Sequence, residues 1–259
     1  MAIIQVEFMS NTLQRMVPLR VILPVDRLGK APRTEKFKTL YLLHGLLGDS
    51  TDWLYNTRLR RWAEEQELAV VMPSGDNAFY VDKPITGNCY GAFIGDELVQ
   101  VTRAMFPLSD KREDTFLGGL SMGGYGAMRN GLKYGKTFGA VISLSGALDI
   151  LDEPRTGRDA AYGEALFGTL TDAVESDKNP RVAMAKLVAS GVPLPRIYLA
   201  CGTEDRLLSH TRKYRTLLEE AGFQVHYEEG AGGHDWDYWD AHIQKVIGWL
   251  LAKSPKNQL

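Results

Sequence analysis

The chain has 259 residues, 44% of them apolar and 24% charged, with a formal net charge of −2. That length suits one large α/β domain with a sizeable core, and the composition is that of an ordinary globular protein. The near-neutral balance offers no basic surface for nucleic acid or an anionic membrane, and no stretch approaches the ~20 apolar residues that span a bilayer.

The N-terminus MAIIQVEFMSNTLQR has no basic segment followed by an apolar core, so no signal peptide is visible and the cytoplasm is the expected compartment. VEFMS (6–10) and VPLRVILP (17–24) read as strands. No helical pattern separates them, which predicts an antiparallel edge. GKAPRTEKFK (29–38) is polar, with Gly, Pro and charges, and reads as a surface loop.

TLYLLHG (39–45), AVVMPSG (69–75), TFLGGL (115–120), AVISLSG (140–146), RIYLACG (196–202) and VHYEEG (225–230) are further strand candidates. The middle ones are continuously apolar, as strands buried on both faces of a parallel sheet are. Between them lie amphipathic stretches. In IGDELVQVTRAMF (94–106), Ile94, Leu98, Val101 and Met105 share one helical face. LSHTRKYRTLLEEAG reads as a helix ending at Gly222, and DWDYWDAHIQKVIGWLLAK as a closing helix before a fraying tail, AKSPKNQL. The alternation predicts a mostly parallel, doubly wound sheet. Residues 149–195 break the rhythm. They hold helical fragments with Pro154, Gly157, Gly168, Pro180 and Pro193 but no strand pattern. Two readings stand, a small cap above the sheet or plain surface helices.

The chemistry concentrates in TFLGGLSMGGYGAMRNG. Gly119-Leu120-Ser121-Met122-Gly123 fits G-x-S-x-G between a strand-like and a helix-like segment. A serine on so sharp a strand-to-helix turn has strained backbone geometry, and glycines two positions away avoid a clash. Such a serine needs a base and a group that orients the base. Of the downstream histidines, His234 sits on a glycine-rich loop (Gly230, Gly232, Gly233) between the last strand and the last helix. His210 and His242 fall within helical patterns and His226 within a strand. For the acid, Asp205 follows the strand ending at Gly202 and completes the order Ser, Asp, His. Glu204 next to it, and Asp149 and Asp152 after an earlier strand, are rivals. The oxyanion amides expected are those of Met122, after the nucleophile, and Leu46, in the loop His44-Gly45-Leu46-Leu47-Gly48 after an early strand. His44 is expected to brace that loop rather than act as a base.

Trp53, Tyr55, Phe79, Tyr80, Tyr125, Trp236 and Trp239 adjoin these loops; of them Trp53, Tyr80, Tyr125 and Trp236 are taken as candidates to line the substrate pocket, against the alternative that they pack the loops. Cys89 and Cys201 lie far apart without CxxC and read as free thiols. HDWDYWDAH lacks H-E-x-x-H spacing, so no metal site is expected, and Gly135-Lys136-Thr137 fails as a P-loop because Asn130 stands where glycine is required.

Taken together, YLLHGLLGDSTDWL, AVVMPSGDNAFYVD, FLGGLSMGGYGAM, GTEDRLL and GGHDWDYWD resemble the tributyrin esterase-type members of the putative esterase family. Esterase D (S-formylglutathione hydrolase), feruloyl and acetyl xylan esterases and mycobacterial mycolyltransferases are relatives there. The resemblance spans nearly the whole chain. It implies an α/β-hydrolase fold and a serine carboxylesterase without a cofactor. Its substrate would be a small-molecule ester, and relatives are often homo-oligomers. The family's nucleophile falls on Ser121, its acid on Asp205, its base on His234 and its oxyanion amides on Leu46 and Met122. The chain departs from the formylglutathione branch, where a threonine-cysteine pair follows the early loop; here HGLLGDSTDW continues instead.

Overall fold

A computed structural model describes residues 1–25, 35–152 and 157–252. Most of the loop expected at 29–38, through residue 34, and the tail from residue 253 lie outside the described residues. The strands are β1 (Ala2–Ser10), β2 (Arg15–Leu23), β3 (Thr39–Leu43), β4 (Ala69–Pro73), a short hairpin of β5 (Asp82–Lys83) and β6 (Asn88–Cys89), then β7 (Thr115–Leu120), β8 (Ala140–Leu144), β9 (Arg196–Gly202) and β10 (Val225–Gly230). The helices are α1 (Asp52–Asn56), α2 (Leu59–Glu65), α3 (Tyr90–Ala92), α4 (Leu98–Met105), α5 (Met122–Lys133), α6 (Gly157–Phe167), α7 (Leu170–Glu175), α8 (Pro180–Ala189), α9 (Leu208–Glu220) and α10 (Trp236–Leu251).

Eight strands form one sheet in the order β1-β2-β4-β3-β7-β8-β9-β10. β1 pairs with β2, and β2 with β4, antiparallel; every other pairing in this sheet is parallel. The eight strand candidates are all present, and the first two make the antiparallel edge. The tiny β5–β6 hairpin gave no sequence signal, because two-residue strands carry no periodicity. The reversal of order at β3 leaves the carboxyl ends of β3 and β7 side by side, where a crevice opens in such sheets.

The continuous apolar runs have a direct cause. β3, β4, β7 and β8 are buried along their whole length. Their alternate side chains enter two separate cores, Tyr41 and Leu43 on one face, Leu40 and Leu42 on the other. The first core includes α4, α5 and α9, the second α1, α2 and α10. Each fully buried Leu, Ile or Val in these layers contributes roughly 1.5–3 kcal/mol.

One helical expectation changes. A widened π-type turn, Phe93–Glu97, precedes α4. It inserts a residue into the helical register, so the buried face becomes Ile94, Leu98, Val99 and Thr102. Val101 is half-buried and Met105 is 47% exposed. Between β8 and β9 the described residues hold helices α6, α7 and α8 and no strand. Phe167, at the end of α6, packs edge-on against Phe79 and Tyr125, which joins this segment to α5.

Candidate active site

The strand β7 ends at Leu120 and α5 begins at Met122, so Ser121 alone makes the turn. Its backbone is left-handed, φ 51° and ψ −117°, a region that ordinary residues avoid. Glycines on both sides make this turn sterically feasible. A Cβ on Gly119 would lie 2.4 Å from the Gly123 carbonyl oxygen; one on Gly123 would lie 2.5 Å from the carbonyl oxygens of Leu43 and His44. No side chain fits either place.

The hydroxyl so presented meets an imidazole. His234 Nε2 is 2.9 Å from Ser121 Oγ, and His234 Nδ1 is 2.8 Å from Asp205 Oδ2. The line therefore runs Ser121, His234, Asp205, drawn from the ends of β7, β10 and β9. Asp205 Oδ1 accepts the Leu207 amide at 2.9 Å. Burial pushes the Asp205 carboxyl up, but hydrogen bonds from His234, the Leu207 amide and the Ser145 hydroxyl outweigh it and hold the carboxyl below its usual range. The carboxylate side chain is fully buried, while His234 keeps 24% exposure toward the crevice.

The rival acids are committed elsewhere. Glu204 accepts the Gly232 amide and so ties down the histidine loop. Asp149 pairs with Lys213 and Asp152 with Arg181. The other histidines are also placed. His210 is buried and accepts the Asp149 amide, His226 meets Glu228, and His242 donates from Nδ1 to the Tyr238 carbonyl. In HDWDYWDAH, Asp235 caps α10 by accepting the Tyr238 amide, and Asp240 pairs with Arg58. These roles leave no shared ligand set there.

Beside the serine lies the loop after β3. A Cβ on Gly45 would sit 2.7 Å from the Leu120 side chain and 3.7 Å from Ser121 Cβ, so the two turns touch. Gly45 O accepts from Gly48 N–H across a turn at 3.3 Å, and Leu46 lies inside that turn. Met122 is the first residue of α5, and the first amides of a helix have no partner within it. Both residues thus lie on the two turns that meet at Ser121. His44 donates from Nδ1 to the Gly45 carbonyl at 2.7 Å and accepts the Gly75 amide at Nε2 at 2.8 Å. Burial pushes its pKa down, which suits this neutral bracing tautomer. Tyr80 donates to the His44 carbonyl at 3.0 Å, and Asn77 Oδ1 accepts the Leu47 amide at 2.7 Å.

The model of the putative esterase family matches residues 10–250. The chain belongs to the putative esterase family. This esterase is 42% identical over 265 residues to an acetyl esterase of Caldicellulosiruptor saccharolyticus, spanning 98% of this chain and 100% of that one. Among solved structures it resembles S-formylglutathione hydrolase (FrmB) of Staphylococcus aureus, with TM-score 0.84 and 32% identity over 96% of this chain and 98% of that one. It also resembles FphF, a fluorophosphonate-binding serine hydrolase of the same organism, with TM-score 0.86 and 31% identity over 97% and 99%. The fold is that of the α/β-hydrolases, and the esterase is a serine hydrolase of the carboxylesterase type.

The pocket candidates divide. Trp53, Tyr80 and Tyr125 are at most 1% exposed, and each spends its polar atom internally. Trp53 donates to the Leu43 carbonyl at 3.1 Å, Tyr80 to His44, and Tyr125 to the Lys178 carbonyl. These three pack and brace the loops instead of facing open space. Trp236 is half-buried, edge-on to both Trp53 and Trp239. It is the one candidate of the four with surface to offer a ligand. Leu46 (42% exposed) and Leu47 (85%), on the loop after β3, and Tyr55 (80%), on α1, add exposed apolar surface. The bracing residue Asn77 escaped the sequence reading, since a lone Asn in a loop has no periodic or motif signature. Cys89 and Cys201 are free, half-buried and buried respectively.

Proposed function

We propose that this esterase hydrolyses short-chain acyl esters by acyl transfer through Ser121. The observation that carries the reading is the unbroken hydrogen-bonded line from Ser121 Oγ through His234 to Asp205. His234 Nε2 takes the hydroxyl proton as Oγ attacks the ester carbonyl. The developing oxyanion lies against the amides of Leu46 and Met122. Collapse expels the alcohol, which leaves with the proton from His234. Water then enters, gives its proton to His234, and attacks the acyl-enzyme; the acid departs and Ser121 regains its proton. Asp205 holds the imidazole in the tautomer with hydrogen on Nδ1 and stabilises the cation that forms twice per cycle. We read residues 149–195 as a cap on a single α/β-hydrolase domain, anchored through Phe167 and Tyr125.

The short acyl preference is supported by the 42% identity to an acetyl esterase. A thioester reading draws on the likeness to an S-formylglutathione hydrolase, and a plant cell-wall reading, on acetyl or feruloyl groups, rests on the family resemblance. One panel separates them: initial rates of wild type and Ser121→Ala on p-nitrophenyl acetate, butyrate and octanoate, methyl ferulate and S-formylglutathione. Fast acetate and butyrate turnover is expected, falling on the order of 10⁴-fold or more in the variant. Retained turnover in Ser121→Ala refutes the mechanism. Preference for the thioester or for ferulate refutes the substrate class alone.

A further inference from the structure

The two ends of the main sheet are built differently. β10, at one end, carries Glu228 and Glu229, which pair with Lys245 and Arg212. Charges of this kind discourage a further strand from adding to an edge. β1, at the other end, lacks the usual defences. Its sequence AIIQVEFMS holds no proline, lysine or arginine and a single charge, Glu7. Its register with β2 runs unbroken from Ala2↔Leu23 to Ser10↔Arg15, so no bulge bends it away. Among the described residues β2 is its one strand partner, and alternate amides and carbonyls of an antiparallel strand point away from that partner. The core is also open here. Ile4, Val6 and Phe8 pack on the first core yet stay half-buried, whereas β3, β4, β7 and β8 are buried throughout. On the opposite face Ile3 is 47% exposed and Met9 59%.

We propose that β1 is a dimer interface: β1 of a second copy of this chain adds to it antiparallel, and the two sheets join into one. The occupant follows from the strand's own sequence. A two-fold axis sets residue i of one copy opposite residue j of the other, and j opposite i. With the axis at Val6, every one of the 9 residues of β1 has a partner of its own kind. Val6 faces Val6, Ile4 faces Phe8, Ile3 faces Met9, Gln5 faces Glu7 and Ala2 faces Ser10. The half-buried apolar residues then meet on the core face, and the exposed Ile3 and Met9 cover each other. Gln5 already donates to Glu7 within its own chain, at 3.2 Å. Across the axis the same amide meets the carboxylate of the other copy. Neighbouring registers are worse. An axis at Glu7 sets two carboxylates directly opposite, which is destabilising. An axis at Gln5 sets Ile3 against Glu7 and leaves Met9 and Ser10 outside the pairing. The crevice at β3 and β7 lies three strands in from this edge. Activity is therefore an independent readout, and the proposal does not depend on the reading of Ser121.

The test is molar mass in solution, by light scattering after size exclusion, on the whole chain from micromolar to submillimolar concentration. The wild type is expected at twice the 28.8 kDa mass of one chain. Two double variants change only exposed side chains, which the fold of the single chain tolerates. Ile3→Lys with Met9→Lys sets like charges opposite each other at both ends of the pairing. It should weaken association at least about tenfold and move the mass toward that of one chain. Ile3→Lys with Met9→Glu sets opposite charges at the same places and should keep the dimer. The contrast is specific to the axis at Val6, because positions 3 and 9 face each other in that register alone. Turnover of p-nitrophenyl butyrate per chain should stay within about twofold of wild type in both variants, which separates dissociation from misfolding. A wild type that is monomeric over the whole range overturns the proposal. So does a dimer that both variants split, or one that neither splits.

Discussion

Gly119 and Gly123 face each other across the elbow with no room for a methyl group on either. Gly123→Ala would place a carbon 2.5 Å from two backbone carbonyls, and neither β3 nor α5 can move without disturbing its core. The expected result is a turn displaced by about 1 Å and a loss of turnover of roughly 10²-fold, read from initial rates, with a lowered melting temperature. Asn77 acts at greater remove. Asn77→Ala frees the Leu47 amide and loosens the loop that carries Leu46. Turnover should fall about tenfold, less than the roughly 10²–10³-fold that losing an oxyanion donor costs. A kcat equal to wild type would show that His44 and Tyr80 suffice to hold the loop.

α5 links the site to the segment between β8 and β9. Arg129, on the same helix as the elbow, is fully buried and reaches Asp177 at 2.8 Å and Asp82 at 3.4 Å. Its Nε also donates to the Asp177 carbonyl at 2.9 Å, and one turn earlier Tyr125 donates to Lys178. These bonds tie the turn before α8 to α5. Asp82 remains 3.4 Å from Arg129 when Asp177 is lost, so the charge is only partly uncompensated, at a cost of about 1–3 kcal/mol. Asp177→Ala should therefore lower unfolding stability by about that amount, measured in urea, while Lys213→Ala on the exposed Asp149 pair should cost no more than ~1 kcal/mol. Equal effects would mean that the buried network anchors nothing. The π-type turn at Phe93–Glu97 shows the limit of periodicity. A strict 3.6-residue repeat names Val101 and Met105 as buried, whereas the inserted residue hands those places to Val99 and Thr102.

For the molecule as a whole, carboxylates held below their usual range set the acid limit of stability. Burial pushes Asp82 and Asp177 up, but Arg129 and Lys133 outweigh it and both end low. Glu228 is likewise lowered to about 2: burial raises it, and Lys245, His226 and Tyr198 more than offset that. A carboxyl with a depressed folded-state pKa binds fewer protons folded than unfolded, so its contribution is complete above the unfolded value and fades as pH falls through the folded one. The melting temperature should hold near neutrality and drop between about pH 4.5 and about 2, the window of Glu228. A flat profile across that range would mean that these groups are equally low in the unfolded chain.

The eight strands of the main sheet, the antiparallel edge, the helices that close the fold and the candidate-site residues Ser121, Asp205 and His234 were legible because each has a local cause. Buried strands need unbroken apolar runs, helices end at a left-handed Gly222 (φ 88°), and an elbow needs glycine on both sides of its serine. The aromatic residues were a different case. Trp53, Tyr80 and Tyr125 share the composition of a pocket lining but lie in the core, because burial depends on which layers close over a side chain and not on its neighbours in the chain. Ser145 and Asn77 carry no local pattern at all. Their bonds join positions 94 and 30 residues away, at Trp239 and Leu47, and only the packing of α10 on β8, and of the β4 loop on the β3 loop, brings such partners within reach.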